Sequence, residues 1–152
     1  MKTLQPLLLL TGAGFIITTE SFCPEPFWPI LHECFYAFTH KKVGWHEARE
    51  QCQDMGGDLA APRRPVLLTM DLRDKGHIEN LALGGYKPSN GNWSWVSPGR
   101  RIVEKWSSGE PNIRPDGHQE EGCVHYWPDG AMPFVADYNC NSSWGFVCQY
   151  LF

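Results

Sequence analysis

The spacing of apolar residues changes along the chain, and each change marks an element. Residues 23–42 alternate apolar and polar around Cys34-Phe35-Tyr36-Ala37-Phe38, the period-two pattern of a half-buried strand. From Gly44 the period lengthens: Trp45, Ala48, Cys52 and Met55 recur at three- and four-residue steps, one face of an amphipathic helix. Gly56-Gly57 ends it, since a helix C-terminus commonly needs a residue at positive φ. A second helix is predicted from Pro65, a residue suited to the first turn, through Leu67, Leu68 and Leu72. After residue 80 short strands are predicted at Leu81–Gly85, at Trp93-Ser94-Trp95 with both indoles on one face, at Cys123–Trp127, at Phe134-Val135-Ala136 and at Trp144–Cys148. Between them, residues 97–122 carry Pro98, Gly99, Gly109, Pro111, Pro115, Gly117 and Gly122, a long irregular stretch of the kind that tends to carry function. No internal repeat or low-complexity linker interrupts the chain. The pattern is α+β: two helices, then short strands around a long loop.

Composition narrows the function classes. The 152 residues are enough for one core, and 20% charged residues with 13% aromatics describe a globular chain. A formal net charge of −4, with basic residues only in isolated pairs (Lys41-Lys42, Arg63-Arg64, Arg100-Arg101), argues against a nucleic-acid partner. The N-terminus opens on Met1-Lys2 and continues with apolar residues 4–10 and 12–17, broken by Pro6 and Thr11. That run is too short for a membrane span and has the layout of a secretory signal peptide, giving residues 1–20 as the leader and 21–152 as the domain. No second apolar span follows. Six cysteines after such a leader imply disulfides in an oxidising, extracellular compartment, although six allow fifteen pairings. A zinc site is disfavoured because no Cys-x-x-Cys pair and no His-x-x-x-His motif occurs. Asn92-Trp93-Ser94 and Asn141-Ser142-Ser143 are N-glycosylation acceptors in an exported chain. The six histidines show no metal spacing and are expected at the surface. With no nucleophile elbow or metalloprotease motif, no enzyme is expected.

Several motifs in a fixed order carry a resemblance. Cys23-Pro24 and Cys34-Phe35-Tyr36 resemble an opening hairpin, and Trp45-x-x-Ala48-x-x-x-Cys52 with Gly57-Asp58-Leu59-Ala60 a first helix and its turn. Leu83-Gly84-Gly85, Trp93-x-Trp95 and Gly99 resemble central strands. Glu110-Pro111-Asn112, Cys123, Cys140 and Phe146-Val147-Cys148 resemble a sugar-binding loop and terminal strands. Together these resemble the C-type lectin-like domain in its longer form, over residues 23–150. The resemblance implies the pairings Cys23–Cys34, Cys52–Cys148 and Cys123–Cys140, and a fold in which two helices flank short antiparallel sheets.

It also implies a site. Calcium takes six to eight oxygens, and Glu110, Asn112, Glu121 and Asp137 supply three carboxylates and an amide. Pro111 would turn the side chains on either side of it to one direction if its peptide bond is cis. In the family the ion coordinates two vicinal sugar hydroxyls, and the order Glu then Asn goes with mannose-type sugars, whereas Gln-Pro-Asp goes with galactose. Two departures stand out. Where the family has Trp-Asn-Asp, this chain has Val135-Ala136-Asp137, so Ala136 lacks an amide ligand; and Gly122 replaces an acid used at an auxiliary calcium site. One weak calcium site is therefore expected. Trp127-Pro128-Asp129 lies too far from Cys140 to serve instead and reads as a turn. Tyr126, Trp127 and Tyr138 can stack on a sugar face, with core packing as the competing role. The expectation is a secreted, calcium-dependent lectin for mannose-type glycans, of the kind that recognises microbial surfaces in innate immunity. The alternative is a lectin-like module that binds a protein without calcium.

Overall fold

A computed structural model describes residues 22–88, 91–97, 99–102, 106–112, 122–132 and 134–152. The predicted helices form where their periodicity places them. α1 (Trp45–Asp54) buries Trp45, Ala48 and Cys52 and is closed by Gly56 at φ +81°. α2 (Pro65–Asp74) buries Leu68, Thr69 and Leu72. The run that its alternation alone reads as one strand is a hairpin, as the resemblance implied: β1 (Trp28–Ile30) and β2 (Glu33–Val43), with Leu31 turning the chain at φ +54°. After α1 comes β3 (Gly57–Leu59), where the sequence suggested only a turn. The remaining strands are β4 (Leu81–Lys87), β5 (Ser94–Trp95), β6 (Gly122–Tyr126), β7 (Val135–Asn139) and β8 (Trp144–Tyr150).

The strands join in the order β1-β2-β8-β4-β6-β7, with β3 on β8 and β5 on β4. All pairs are antiparallel except β4 and β8, where Leu81 lies opposite Gly145 and Ala82 opposite Phe146. Gly85 allows β4 to approach β6: a Cβ there would lie 2.4 Å from Val124 Cγ2. Two apolar clusters hold the layers together. One gathers Trp45, Ala48 and Cys52 of α1 with Leu59, Ala82 and Phe146; the other gathers Leu68 and Leu72 of α2 with Leu81, Leu83, Trp95, Val124 and Val147. Each leucine, valine or phenylalanine among them, fully buried, contributes about 1.5–3 kcal/mol. Two polar groups that enter the core are paired, whereas Trp95 Nε1 and the Tyr138 hydroxyl are buried without a hydrogen-bond partner among the described residues. Trp45 Nε1–H donates to Leu83 O at 2.8 Å, and the Arg49 guanidinium grips both oxygens of buried Asp58 at 2.9 and 3.1 Å.

The three disulfides are Cys23–Cys34, Cys52–Cys148 and Cys123–Cys140, as the resemblance implied, and no cysteine is free. Cys52–Cys148 ties α1 to the last strand across 96 residues of sequence. Cys123–Cys140 joins β6 to the turn after β7. Among the described residues no helix is long and apolar enough to cross a membrane. The leader expected over residues 1–20 lies outside the described residues.

Candidate functional site

β7 anchors the segment that carries Glu110, and a buried hydroxyl makes the attachment. Ser107 N–H donates to Val135 O at 2.9 Å, while Ser107 Oγ accepts from Val135 N–H at 2.9 Å and donates to Ala131 O at 2.8 Å. From that anchor the chain makes a tight turn closed by Glu110 N–H on Ser107 O at 2.9 Å. Its third residue is Gly109 at φ +84°, the positive φ that a type II turn requires at that position. Ser107 carried no signal in the sequence. A serine in a polar loop reads as solvent-facing, and only the packing of the loop on β7 buries it.

The turn delivers Glu110, followed by a cis Glu110–Pro111 peptide bond and Asn112. Asn112 Nδ2 donates to Glu110 Oε1 at 2.9 Å, and Asn112 N–H donates to Asp137 Oδ1 at 2.7 Å. Three of the four expected oxygen-bearing residues therefore meet, two from the loop and one from β7. The fourth, Glu121, lies outside the described residues. Ala136 is buried on the neighbouring position of β7, opposite His125 in the β6–β7 register. Successive strand residues face opposite ways, so its methyl group belongs to the face away from the Asp137 side chain and supplies no oxygen.

The electrostatics of the group are those of crowded acceptors. Glu110 Oε2 is buried without a hydrogen-bond partner among the described residues. The Glu110 carboxyl is pushed up to about 7, first by desolvation, then by the adjacent Asp137 carboxyl, with which it can hydrogen-bond only when protonated; repulsion from Asp137 adds to this. Backbone N–H groups of Asp137 and Asn112 pull the other way without cancelling it. A hard divalent cation satisfies the same need as that proton, because it neutralises both carboxylates at once and takes up the orphaned oxygen. In this respect the residues fit calcium. The described part of the site holds two carboxylates and one amide, and no group of three or more His, Cys, Asp or Glu side chains gathers elsewhere among the described residues.

The aromatic candidates for sugar stacking divide. Tyr126 is fully buried and donates its hydroxyl to His77 O at 3.0 Å; Tyr138 is buried and stacks on Trp144 with centroids 4.3 Å apart. Both are core residues. Trp127 is half-buried and folded over Gly130, whose N–H donates to Trp127 O at 3.1 Å, so Trp127-Pro128-Asp129 is a turn. Trp95 is buried, whereas Trp93 on the same ribbon keeps partial exposure and packs edge-on against Trp106 at 4.9 Å. His125 corrects the expectation of surface histidines: it is 5% exposed, set against Tyr138 and Trp144. β6 lies between β4 and β7 and is buried along its whole length, so the histidine it carries is buried whichever face it takes. The glycosylation acceptors Asn92 and Asn141 are both exposed.

The helix-and-sheet arrangement, its three disulfides and the anchored loop define a lectin-like, carbohydrate-binding class of domain. The model of the Lectin C-type domain matches residues 41–150, and the chain belongs to that family. It is similar to a perlucin-like protein of Mytilus galloprovincialis, 26% identical over 150 residues that cover 93% of this chain and 92% of the relative. It also resembles lithostathine-1 of Mus musculus, 25% identical over 134 residues covering 84% and 78%. Among solved structures, the C-type carbohydrate-recognition domain of cow CD23, in the presence of a GlcNAc2Man3 oligosaccharide, superposes with a TM-score of 0.68 at 26% identity. That match covers 86% of this chain and 96% of the other.

Proposed function

We propose that this chain is a secreted, calcium-dependent lectin that binds mannose-type glycans through Glu110, Asn112, Asp137 and Glu121. The observation that carries the reading is the meeting of Glu110, Asn112 and Asp137, with one buried carboxylate oxygen left unpartnered. Calcium, when bound, supplies the Lewis acid that holds two vicinal hydroxyls. Around it, Glu110 accepts from a sugar hydroxyl and the Asn112 amide donates to one. The likeness to the CD23 domain, studied with a mannose-containing oligosaccharide, supports this sugar class. Secretion accords with the three disulfides and the leader-like residues 1–20, and glycans at Asn92 and Asn141 would follow from it. Recognition of microbial surface mannose is the biological role that fits such a domain.

A second reading is a calcium-independent module for a protein partner, favoured by Ala136, which contributes no ligand oxygen. Adsorption of the protein to mannan beads separates the two. Retention in millimolar calcium and release by a chelator support the lectin; failure to bind mannan in calcium overturns it in favour of the protein-binding module.

A further inference from the structure

The start of β2, the end of β8 and the segment after β3 border a cavity of about 520 Å³, lined among others by Glu33, Ala61, Arg63, Arg100 and Gln149. It belongs to another part of the sheet from Asp137, since β4 and β6 stand between β8 and β7. One wall of the cavity is a continuous run of hydrogen bonds. Arg100 Nη2 donates to Ala61 O at 2.7 Å and to Pro62 O at 3.1 Å. Ala61 N–H donates to Gln149 Oε1 at 2.9 Å, and Gln149 Nε2 donates to Glu33 Oε1 at 2.9 Å. Arg63 N–H completes the run, reaching the two Glu33 oxygens at 3.1 and 3.2 Å.

Arg63 and Arg100 belong to separate basic pairs in the sequence, and this wall brings them to one cavity. Neither forms an ion pair among the described residues, although the chain carries 17 acidic residues against 13 basic ones. The acid on the wall, Glu33, is taken up by neutral donors instead. The Pro62–Arg63 peptide group is the reason. In a trans peptide the carbonyl and the N–H point opposite ways, so this one turns its oxygen to Arg100 and its N–H to Glu33. Cation and acid are thereby held on opposite sides of one peptide group. Arg100 is fixed by the two carbonyls on Nη2, and its Nε–H and Nη1 have no partner among the described residues. Such fixed, charged donors bind carboxylate and sulfate oxygens strongly. Glu33 can only accept, so the other end of the wall suits hydroxyl donors and repels a second anionic group. The cavity volume lies within the range of small-ligand sites.

We infer that this cavity is a separate, metal-independent site for an acidic sugar, one bearing a single carboxylate or sulfate group. Arg100 and Arg63 hold the oxyanion, while Glu33 and the Gln149 amide meet hydroxyls. The site uses none of Glu110, Asn112 and Asp137, so it stands or falls apart from the lectin reading above. An acidic peptide would also meet the arginines. The groups on this wall, however, are side chains paired with one another, not the open strand edge along which a peptide backbone is bound.

The test is a titration of calcium-free protein, in buffer without chelator, followed by proton–nitrogen amide spectra. The probes are glucuronic acid, sulfated glucose, uncharged glucose and a triglutamate peptide, each taken into the millimolar range. The two acidic sugars should move the amide signals of Ala61, Arg63 and Gln149 in a saturable way, and glucose should not. Saturation by glucuronic acid alone assigns the carboxylate, and saturation by sulfated glucose alone assigns the sulfate. Arg63→Gln, a change at an exposed side chain, should weaken binding about three- to tenfold, the share of one partly exposed charge-assisted hydrogen bond. Arg100→Gln should weaken it at least as much. Equal shifts with glucose and the acidic sugars overturn the inference, because the arginines then do not read the charge. So do the absence of shifts at these amides and unchanged affinity in both variants. Tighter binding of triglutamate than of either acidic sugar overturns the assignment to a saccharide.

Discussion

Acidification from pH 7.5 to 5 should remove about 2 kcal/mol of folding stability through one side chain, His125. The ring lies between Tyr138 and Trp144, centroids 5.3 and 4.4 Å away, and its Nδ1–H donates to Tyr126 O at 3.0 Å. Burial lowers the imidazole from its ordinary 6.5 to about 4, with the Tyr126 carbonyl and the Asp137 carboxylate opposing the shift. In the unfolded chain the ring titrates at its ordinary value. Between 6.5 and 4 the unfolded state therefore binds more protons than the native state. The stability carried by the neutral ring is whole above 6.5 and drains away as pH falls through about 4, a total of about 3 kcal/mol, of which more than half has gone by pH 5. Glu110 works in the opposite sense: its raised carboxyl takes up a proton in the native state below about 7, which favours the fold on acidification. A wild-type curve alone mixes the two. Urea unfolding of wild type and His125→Phe, in chelator at pH 7.5 and 5, isolates the histidine. Wild type should lose about 2 kcal/mol more than the variant over that interval. Equal losses would refute the claim that this imidazole is held neutral by burial.

Three further outcomes are expected. Calcium should bind in the weak extracellular range of about 10⁻⁴–10⁻³ M and be lost in Asp137→Ala; calorimetry showing no calcium heat at several millimolar removes the ion from the mechanism. The double variant Glu110→Gln, Asn112→Asp keeps one acid and one amide but reverses donor and acceptor. It should lose mannose affinity by about tenfold at unchanged calcium affinity, with galactose the gain, and a glycan array on which the two proteins look alike contradicts that account. Replacing Cys52 and Cys148 by alanine opens a loop of 96 residues' separation and should cost about 4–5 kcal/mol, so a melting temperature within a few degrees of wild type would show that this bridge is not what closes the fold.

Local features were legible from the residues because their causes are local. The helices begin at Trp45 and Pro65, as the three- and four-residue spacing and the proline indicate, and the Gly56-Gly57 stop stands where the positive φ is needed. The family motifs and the order of their cysteines identified the lectin-like fold, and Glu110-Pro111-Asn112 marked the loop that carries the candidate ligands. What depended on distant partners was not legible. Gly57–Leu59 becomes a strand only because β8, some ninety residues later, offers an edge to pair with. The family motifs implied a hairpin near Cys34, but its turn at Leu31 was not legible, since that side chain gives no hint of positive φ. Asn112 and Asp137 are 25 residues apart, and their meeting is decided by how Ser107 fastens the loop to β7. The same holds for His125, polar in composition and buried in fact. Periodicity and turn chemistry act over a few residues and survive in a one-dimensional reading; burial, register and the convergence of charged groups are properties of which surfaces the completed sheet brings together.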